Sequence, residues 1–208
     1  MIYTHNKKEG LRLYFLRHGE TDWNRRGLYQ GHSDPPLNEE GRRQALKAAA
    51  RLLRVTFAKV YTSDLRRARE TTQIITSQLK AVEVRHLKGL RELDFGLWEG
   101  LSYAEVERNY PQEIRHIYGE TETFQAPGGE SVLALKKRVI KTWENILREI
   151  KGGTIMIVTH GGPIRVLWEH WLGGNMMTLW NIPFSHCAMG FASFNTIGGY
   201  PRLFIHRI

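Results

Sequence analysis

Short apolar runs alternate with longer amphipathic stretches along this chain. "LRLYFL" (11–16) is a buried strand by its pattern, closed off by Gly19. "LNEEGRRQALKAAARLL" (37–53) predicts a helix with Asn38 as N-cap and two acids in its first turn. Its expected apolar face is Ala45, Leu46, Ala49, Leu52 and Leu53. "KVYTS" (59–63) predicts a second strand. Residues 64–79 predict a second helix with Ala68, Thr71, Thr72, Ile75 and Leu79 facing inward, and "VEVRHL" (82–87) a third strand. Residues 130–150 form a long amphipathic pattern ended by Gly152 and Gly153. "TIMIVTH" (154–160) reads as a strand buried on both faces, as in parallel sheets. A helix over 162–172 follows, with Pro163 near its start, and then a terminal hairpin with "IGGY" in its turn.

This alternation predicts an α/β fold, a three-layer α/β/α sandwich around a mostly parallel central sheet. No repeat, low-complexity segment or linker interrupts it, so a single domain over 1–208 is expected. Residues 92–129 are the irregular part. They hold Gly96, Gly100, a short helix near 102–109, Pro111 and Pro127, and are expected to act as a lid or wall.

Composition narrows the class. The 208 residues are 41% hydrophobic and 25% charged, enough for one full core. No run approaches the length of a membrane span, and "MIYTHNKKEG" lacks the apolar core of a secretory signal. One cysteine, Cys187, excludes an internal disulfide and a Cys-based metal cluster, and is expected to be a buried small hydrophobe. A cytoplasmic location is the default expectation. The net charge of +9 fits either nucleic acid or a small anion. The basic residues are scattered, with no basic tail, which favours the small anion and no nucleic-acid or membrane partner.

"YFLRHGETDWN" (14–24) places a cation and an imidazole at the end of a buried strand, and "TIMIVT" runs into His160-Gly161-Gly162 in the same way. In open α/β sheets ligands bind outside the carboxyl ends of the strands. Two histidines thus reach one sheet edge, and a glycine after each suits close backbone approach. Capping a loop is the ordinary use of one such histidine; two at matching ends favour a site. Arg66 and Arg67 follow the second strand. An Arg there meets the positive end of the helix dipole unless an anion is present, so one of them could pair with Arg17 around an oxyanion while the other is solvated. No metal-ligand, nucleotide-loop or serine-nucleophile motif accompanies these residues. A histidine nucleophile beside arginines suits phosphoryl transfer through a covalent intermediate.

"LRHGETDWN", "GLYQGHSDPPLNEEGRRQA", "VYTSDLRRARETTQII", "LRELDFGLWEGLSYAEV" and "VTHGGPIRVL" together resemble the ordered blocks of the histidine phosphatase superfamily, the phosphoglycerate-mutase-like proteins, from about residue 11 to 170. The resemblance implies His18 as the nucleophile, Arg17 and Arg67 as phosphate ligands, and His160 as a stabiliser of the transferring group. It implies Glu92 as proton donor and then base. Asn24, Gln30 and the backbone of Gly31 would complete the phosphate cradle. The Arg directly before Ala is the family's, which selects Arg67 over Arg66. No cofactor and no metal are implied.

Gly31-His32 stands where the family's mutases often carry Gly-Trp, and the chain is short after the fourth block. The resemblance therefore leans to the phosphatase branch, a metal-independent phosphoric monoester hydrolase acting on a small phosphorylated substrate. "PGGES" (127–131) is similar to α-ribazole phosphatases of cobalamin synthesis. A phosphoglycerate mutase and a catalytically silent phosphate-binding module are the alternatives, and a monomer or homodimer is expected. Trp23, Trp98, Tyr103 and His186, with Phe124, are candidates for a substrate wall; packing is the competing use of each. His32 has similar standing.

Overall fold

The structure, a computed structural model, describes residues 10–115, 124–173, 184–195, 199 and 201–206. Strands β1 (Leu11–Arg17), β2 (Lys59–Thr62), β3 (Val84–His86), β4 (Gly153–Thr159), β5 (Met189–Phe194) and β6 (Arg202–His206) form one sheet in the order β3-β2-β4-β1-β5-β6. The first four of that order are mutually parallel; β5 runs antiparallel to β1, and β6 antiparallel to β5. The sheet is mostly parallel and mixed at one edge.

Side chains alternate across each strand, so β4 feeds two cores. Met156 and Val158 pack with Leu16 and Val60 against α2 (Glu39–Leu52) and α3 (Arg66–Thr76). Ile155 and Ile157 pack with Leu13 and Phe15 against α5 (Val132–Glu149) and α6 (Gly161–Leu172). This is the expected three-layer sandwich, and it explains why "TIMIVT" carries no polar alternation.

Among the shorter elements are α1 (Asp22–Arg25) in the loop after β1, α4 (Tyr103–Asn109), and 3-10 turns at Lys88–Leu90 and Gly96–Trp98. The sequence pattern does not announce α1, whose single turn is held by a capping box between Thr21 and Asn24. Asn38 caps α2, its side chain accepting from Gly41 N at 2.8 Å. The buried stripe of α2 is Ala45, Ala48, Ala49 and Leu52. Leu46 and Leu53, expected on it, are 52% and 59% exposed. Each follows a buried residue by one position, about 100° around the helix, and so leaves the stripe. On α3 the expected residues Ala68, Thr71, Thr72 and Ile75 are buried, and Arg67 joins them. This helix begins at Arg66, because Leu65 is extended, and ends at Thr76, so Leu79 packs half-buried beyond it. The third strand is only three residues long, as suits a sheet edge. The expected hairpin forms as β5 and β6; most of its "IGGY" turn lies outside the described residues.

Candidate active site

β2, β4 and β1 are neighbours, and their register lines up their ends. Arg17 lies opposite Thr159, and Thr62 opposite Val158. The ladder runs one step further, with His18 N donating to Thr159 O at 2.9 Å and Ser63 N to Val158 O at 3.0 Å. His18, His160 and Ser63 therefore emerge side by side.

His18 is 2% exposed, and its ring centroid lies 5.0 Å from that of His160 and 5.8 Å from that of His186. Its Nδ1 is 2.7 Å from Gly19 O. A carbonyl can only accept, so Nδ1 carries the hydrogen and Nε2 keeps its lone pair in the neutral ring. Burial, then Arg67 and Arg17, hold this imidazole well below its usual protonation range. Gly19 serves helix packing: a Cβ there would sit 2.5 Å from Gly41 O of α2.

Arg67 is fully buried and donates through Nη1 to Ser33 O and Nη2 to Gly31 O, both at 2.8 Å. Arg66 is exposed and pairs with Glu70, so helix phase separates the two arginines. Arg17 donates through Nη1 to Phe184 O at 2.5 Å. Burial lowers the pKa of Arg17 and of Arg67 to about 10, so both stay cationic at neutral pH. Arg165 of α6 adds a third guanidinium, its charge felt by Arg17 and opposed by that of Glu92.

Glu92 accepts from Gly162 N with Oε1 at 3.0 Å and Oε2 at 3.2 Å, and from Leu93 N with Oε1 at 2.9 Å. Its backbone is clamped by Arg138 of α5, which donates to Gly89 O, Arg91 O and Glu92 O at 3.1, 2.7 and 2.6 Å. Glu130 holds that guanidinium with both oxygens, at 2.6 and 2.8 Å. Glu99 ties this segment to the loop after α1, accepting from His32 N (2.6 Å), Ser33 N (2.5 Å) and Phe95 N (3.2 Å). A Cβ on Gly31 would lie 2.2 Å from Glu99 Oε1, so the glycine is needed for this contact. Asp64 and Arg91 form a two-pronged ion pair at 2.7 and 2.6 Å. Sequence reasoning did not single out Glu99, Arg138, Glu130, Arg91 or Arg165; the only trace of the clamp is an acid and a base eight positions apart at the start of a helix.

Among the described residues, the buried side-chain nitrogens without a partner are Arg17 Nε, Gln30 Nε2, Arg67 Nε, His160 Nδ1, His186 Nε2 and three indole N–H groups. Buried polar groups are normally paired, and leaving one unpaired costs about 1–3 kcal/mol. Donors left over on residues around one imidazole suit a tetrahedral oxyanion. Gln30 is held by Thr21 Oγ1, which donates to its Oε1 at 2.6 Å. Asn24 spends its Oδ1 on Thr21 N at 3.2 Å.

The wall candidates divide. His186 stands beside His18, its pKa lowered to about 3 by burial and then Arg17, so it is neutral. Trp98 is a correction: it is fully buried and packs on Tyr29, Tyr110 and Phe124, so it belongs to the core, as does Phe124. Trp23 is half-buried against Gly100, and Tyr103 is exposed on α4. His32 Nε2 donates to Glu92 O at 3.1 Å. Cys187 is buried with a left-handed φ of 54°, and its N–H reaches both Arg17 O and His18 O, at 3.1 and 3.2 Å. Such a backbone is uncommon for a non-glycine and marks a locally constrained site. No described helix is long and apolar enough to cross a membrane.

Comparison with known proteins places the chain in a family. Phosphoglycerate mutase-like protein 4 of Arabidopsis thaliana is 40% identical over 159 residues, covering 76% of this chain and 69% of that protein. Phosphoserine phosphatase 1 of Hydrogenobacter thermophilus is 32% identical, covering 82% and 81%. The α-ribazole phosphatase structure from Shigella flexneri superposes with a TM-score of 0.80 at 25% identity, covering 90% and 98%. The histidine phosphatase superfamily (branch 1) matches residues 13–201, and this chain belongs to it.

Proposed function

We propose that the protein is a metal-independent phosphomonoester hydrolase that works through a phosphohistidine at His18. The observation that carries this reading is the single hydrogen bond from His18 Nδ1 to Gly19 O, which leaves Nε2 unprotonated between two cations. Nε2 attacks phosphorus, and the bond to the leaving oxygen breaks. Arg17 and Arg67 balance the charge on the equatorial oxygens, with Gln30, Asn24 and the backbone of Gly31 as further ligands. Glu92 protonates the leaving oxygen. Its Oε2 accepts fewer backbone hydrogen bonds than Oε1 and is the natural carrier of that proton. The same carboxylate then takes a proton from water as the water attacks the phosphohistidine, which releases phosphate and restores His18.

The substrate is a small phosphorylated metabolite, with Glu92 on the leaving-group side. Relatives are named for phosphoserine and α-ribazole phosphate, and both belong in the panel. His32, tied to the Glu92 carbonyl, supports hydrolysis over the mutase reaction, because it stands where the mutases of this family often carry Trp. The test is hydrolysis of p-nitrophenyl phosphate, phosphoserine, α-ribazole 5′-phosphate and 3-phosphoglycerate in EDTA by wild type and His18→Ala. Activity that survives EDTA and is lost with His18, with an acid-labile phosphoenzyme trapped on the wild type, is expected. Isomerisation of 3-phosphoglycerate dependent on a bisphosphate primer, without ester hydrolysis, would instead establish the mutase. Full activity in His18→Ala would end the mechanism.

A further inference from the structure

We propose that Ser63 is a positioning residue for this reaction: its hydroxyl donates to His160 Nε2 and fixes His160 as the Nδ1–H tautomer, which donates to the transferring phosphoryl group. The proposal rests on the phosphohistidine reading above.

Ser63 is the first residue past β2, and its Oγ lies 2.9 Å from His160 Nε2. Both residues are fully buried, away from bulk water. Ser63 Oγ already accepts the N–H of Leu65 at 3.3 Å. The end of the strand is held further by Thr62, which donates to Ser63 O at 3.2 Å and accepts from Thr72 Oγ1 at 2.9 Å. The hydroxyl is therefore fixed in place before any ligand arrives.

The His160 ring is neutral, because burial and then Arg67, His18 and Arg17 all disfavour its cation. A neutral imidazole has one N–H and one lone pair. If Nε2 carried the hydrogen, Ser63 Oγ would accept twice and its own buried hydrogen would have no acceptor in the ring. Nδ1 would then present a lone pair to an anion. If Nδ1 carries the hydrogen, Ser63 donates to Nε2, and the Nδ1 N–H is left over for a ligand. Nδ1 itself has no protein partner. Its N–H matches an anionic oxygen, which only accepts. In this state His160 donates a hydrogen bond and transfers no proton, so acid–base work stays with Glu92. Second-sphere partners commonly fix histidine tautomers in this way.

The experiment is nitrogen-15 NMR of histidine-labelled protein with and without inorganic phosphate, His160 being assigned by its loss in His160→Gln. Wild type is expected to show His160 protonated at Nδ1 only. Ser63→Ala is expected to lose that single tautomer, to bind phosphate more weakly and to lose about ten- to a hundredfold in kcat/KM, together with a lower melting temperature because Leu65 N–H and His160 Nε2 lose their partner. Ser63→Thr, which keeps the hydroxyl, is expected to restore them. An Nε2–H tautomer in wild type overturns the proposal on the spectrum alone, even if Ser63→Ala does not fold. So does a Ser63→Ala protein with tautomer and kcat/KM unchanged. Undiminished activity in His18→Ala would overturn the phosphohistidine reading and leave the tautomer measurement standing.

Discussion

Glu92 rests both carboxylate oxygens on the backbone N–H of Gly162, the second residue of α6, at 3.0 and 3.2 Å. The contact joins the start of the irregular region to the end of β4, so the expected acid and the two expected phosphate-side histidines share one frame. It also requires a glycine. A Cβ at position 162 would fall 2.2 Å from Glu92 Oε1.

Gly162→Ala should therefore separate stability from activity. Alanine is the better helix former by about 1 kcal/mol, and the other near neighbour is the movable tip of Leu135 at 3.2 Å. The carboxylate must swing away. The lost acceptor for Gly162 and Leu93 N–H offsets that gain, so the expected outcome is a melting temperature close to wild type and a kcat lower by about two orders of magnitude, the usual scale for a misplaced acid–base group. Equal losses of stability and activity would show that the glycine serves packing instead.

Arg67 lowers the pKa of His18, second only to burial. Removing the cation in Arg67→Met makes the imidazolium less unfavourable, so that pKa must rise toward 6.5. In wild type the ring should stay neutral throughout pH 6–8, with the acid limb of kcat/KM well below 6.5; in the variant the His18 titration should move upward. Histidine NMR titration of both proteins reads this directly. A downward move would contradict the electrostatics.

His186 is neutral in the folded protein to about pH 3, against 6.5 when exposed. Below 6.5 the unfolded chain therefore binds a proton that the folded chain refuses. Stability falls with pH across that window, by at most about 1.4 kcal/mol per pH unit for one such group. His18 and His160 act in the same direction. Urea unfolding between pH 7 and 4 should show this decline, and His186→Gln should make it shallower. An unchanged slope would mean that His186 protonates in the fold.

Arg138→Met removes three donor contacts behind Glu92 and leaves Glu130 without its cation. A loss of about 2–4 kcal/mol is expected in denaturant unfolding. Arg17 and Arg67 are untouched, so kcat should fall while inhibition by inorganic phosphate stays near wild type. Loss of phosphate inhibition in step with kcat would place Arg138 in the anion site itself.

What could be read along the chain is what depends on neighbours a few residues apart. The unbroken apolar run of β4, the cap Asn38, and the matched endings of β1 and β4 are local patterns, and each has its expected place. Leu46 and Leu53 misled because hydrophobicity alone does not carry helix phase, whereas the burial of Arg67 with Thr71, one turn on, does. Trp98 was ambiguous for the same reason, since an aromatic ring suits a core and a pocket equally. Glu99, Arg138 and Ser63 left no such trace. Their long-range partners lie 66–67, 46–49 and 97 residues away, and for the first two those long-range partners are backbone N–H and C=O groups that every residue type carries. Periodicity and capping are set by backbone geometry within a turn or a pleat. Which distant backbone meets a charged side chain is set by strand order and register, and these exist once the sheet has assembled.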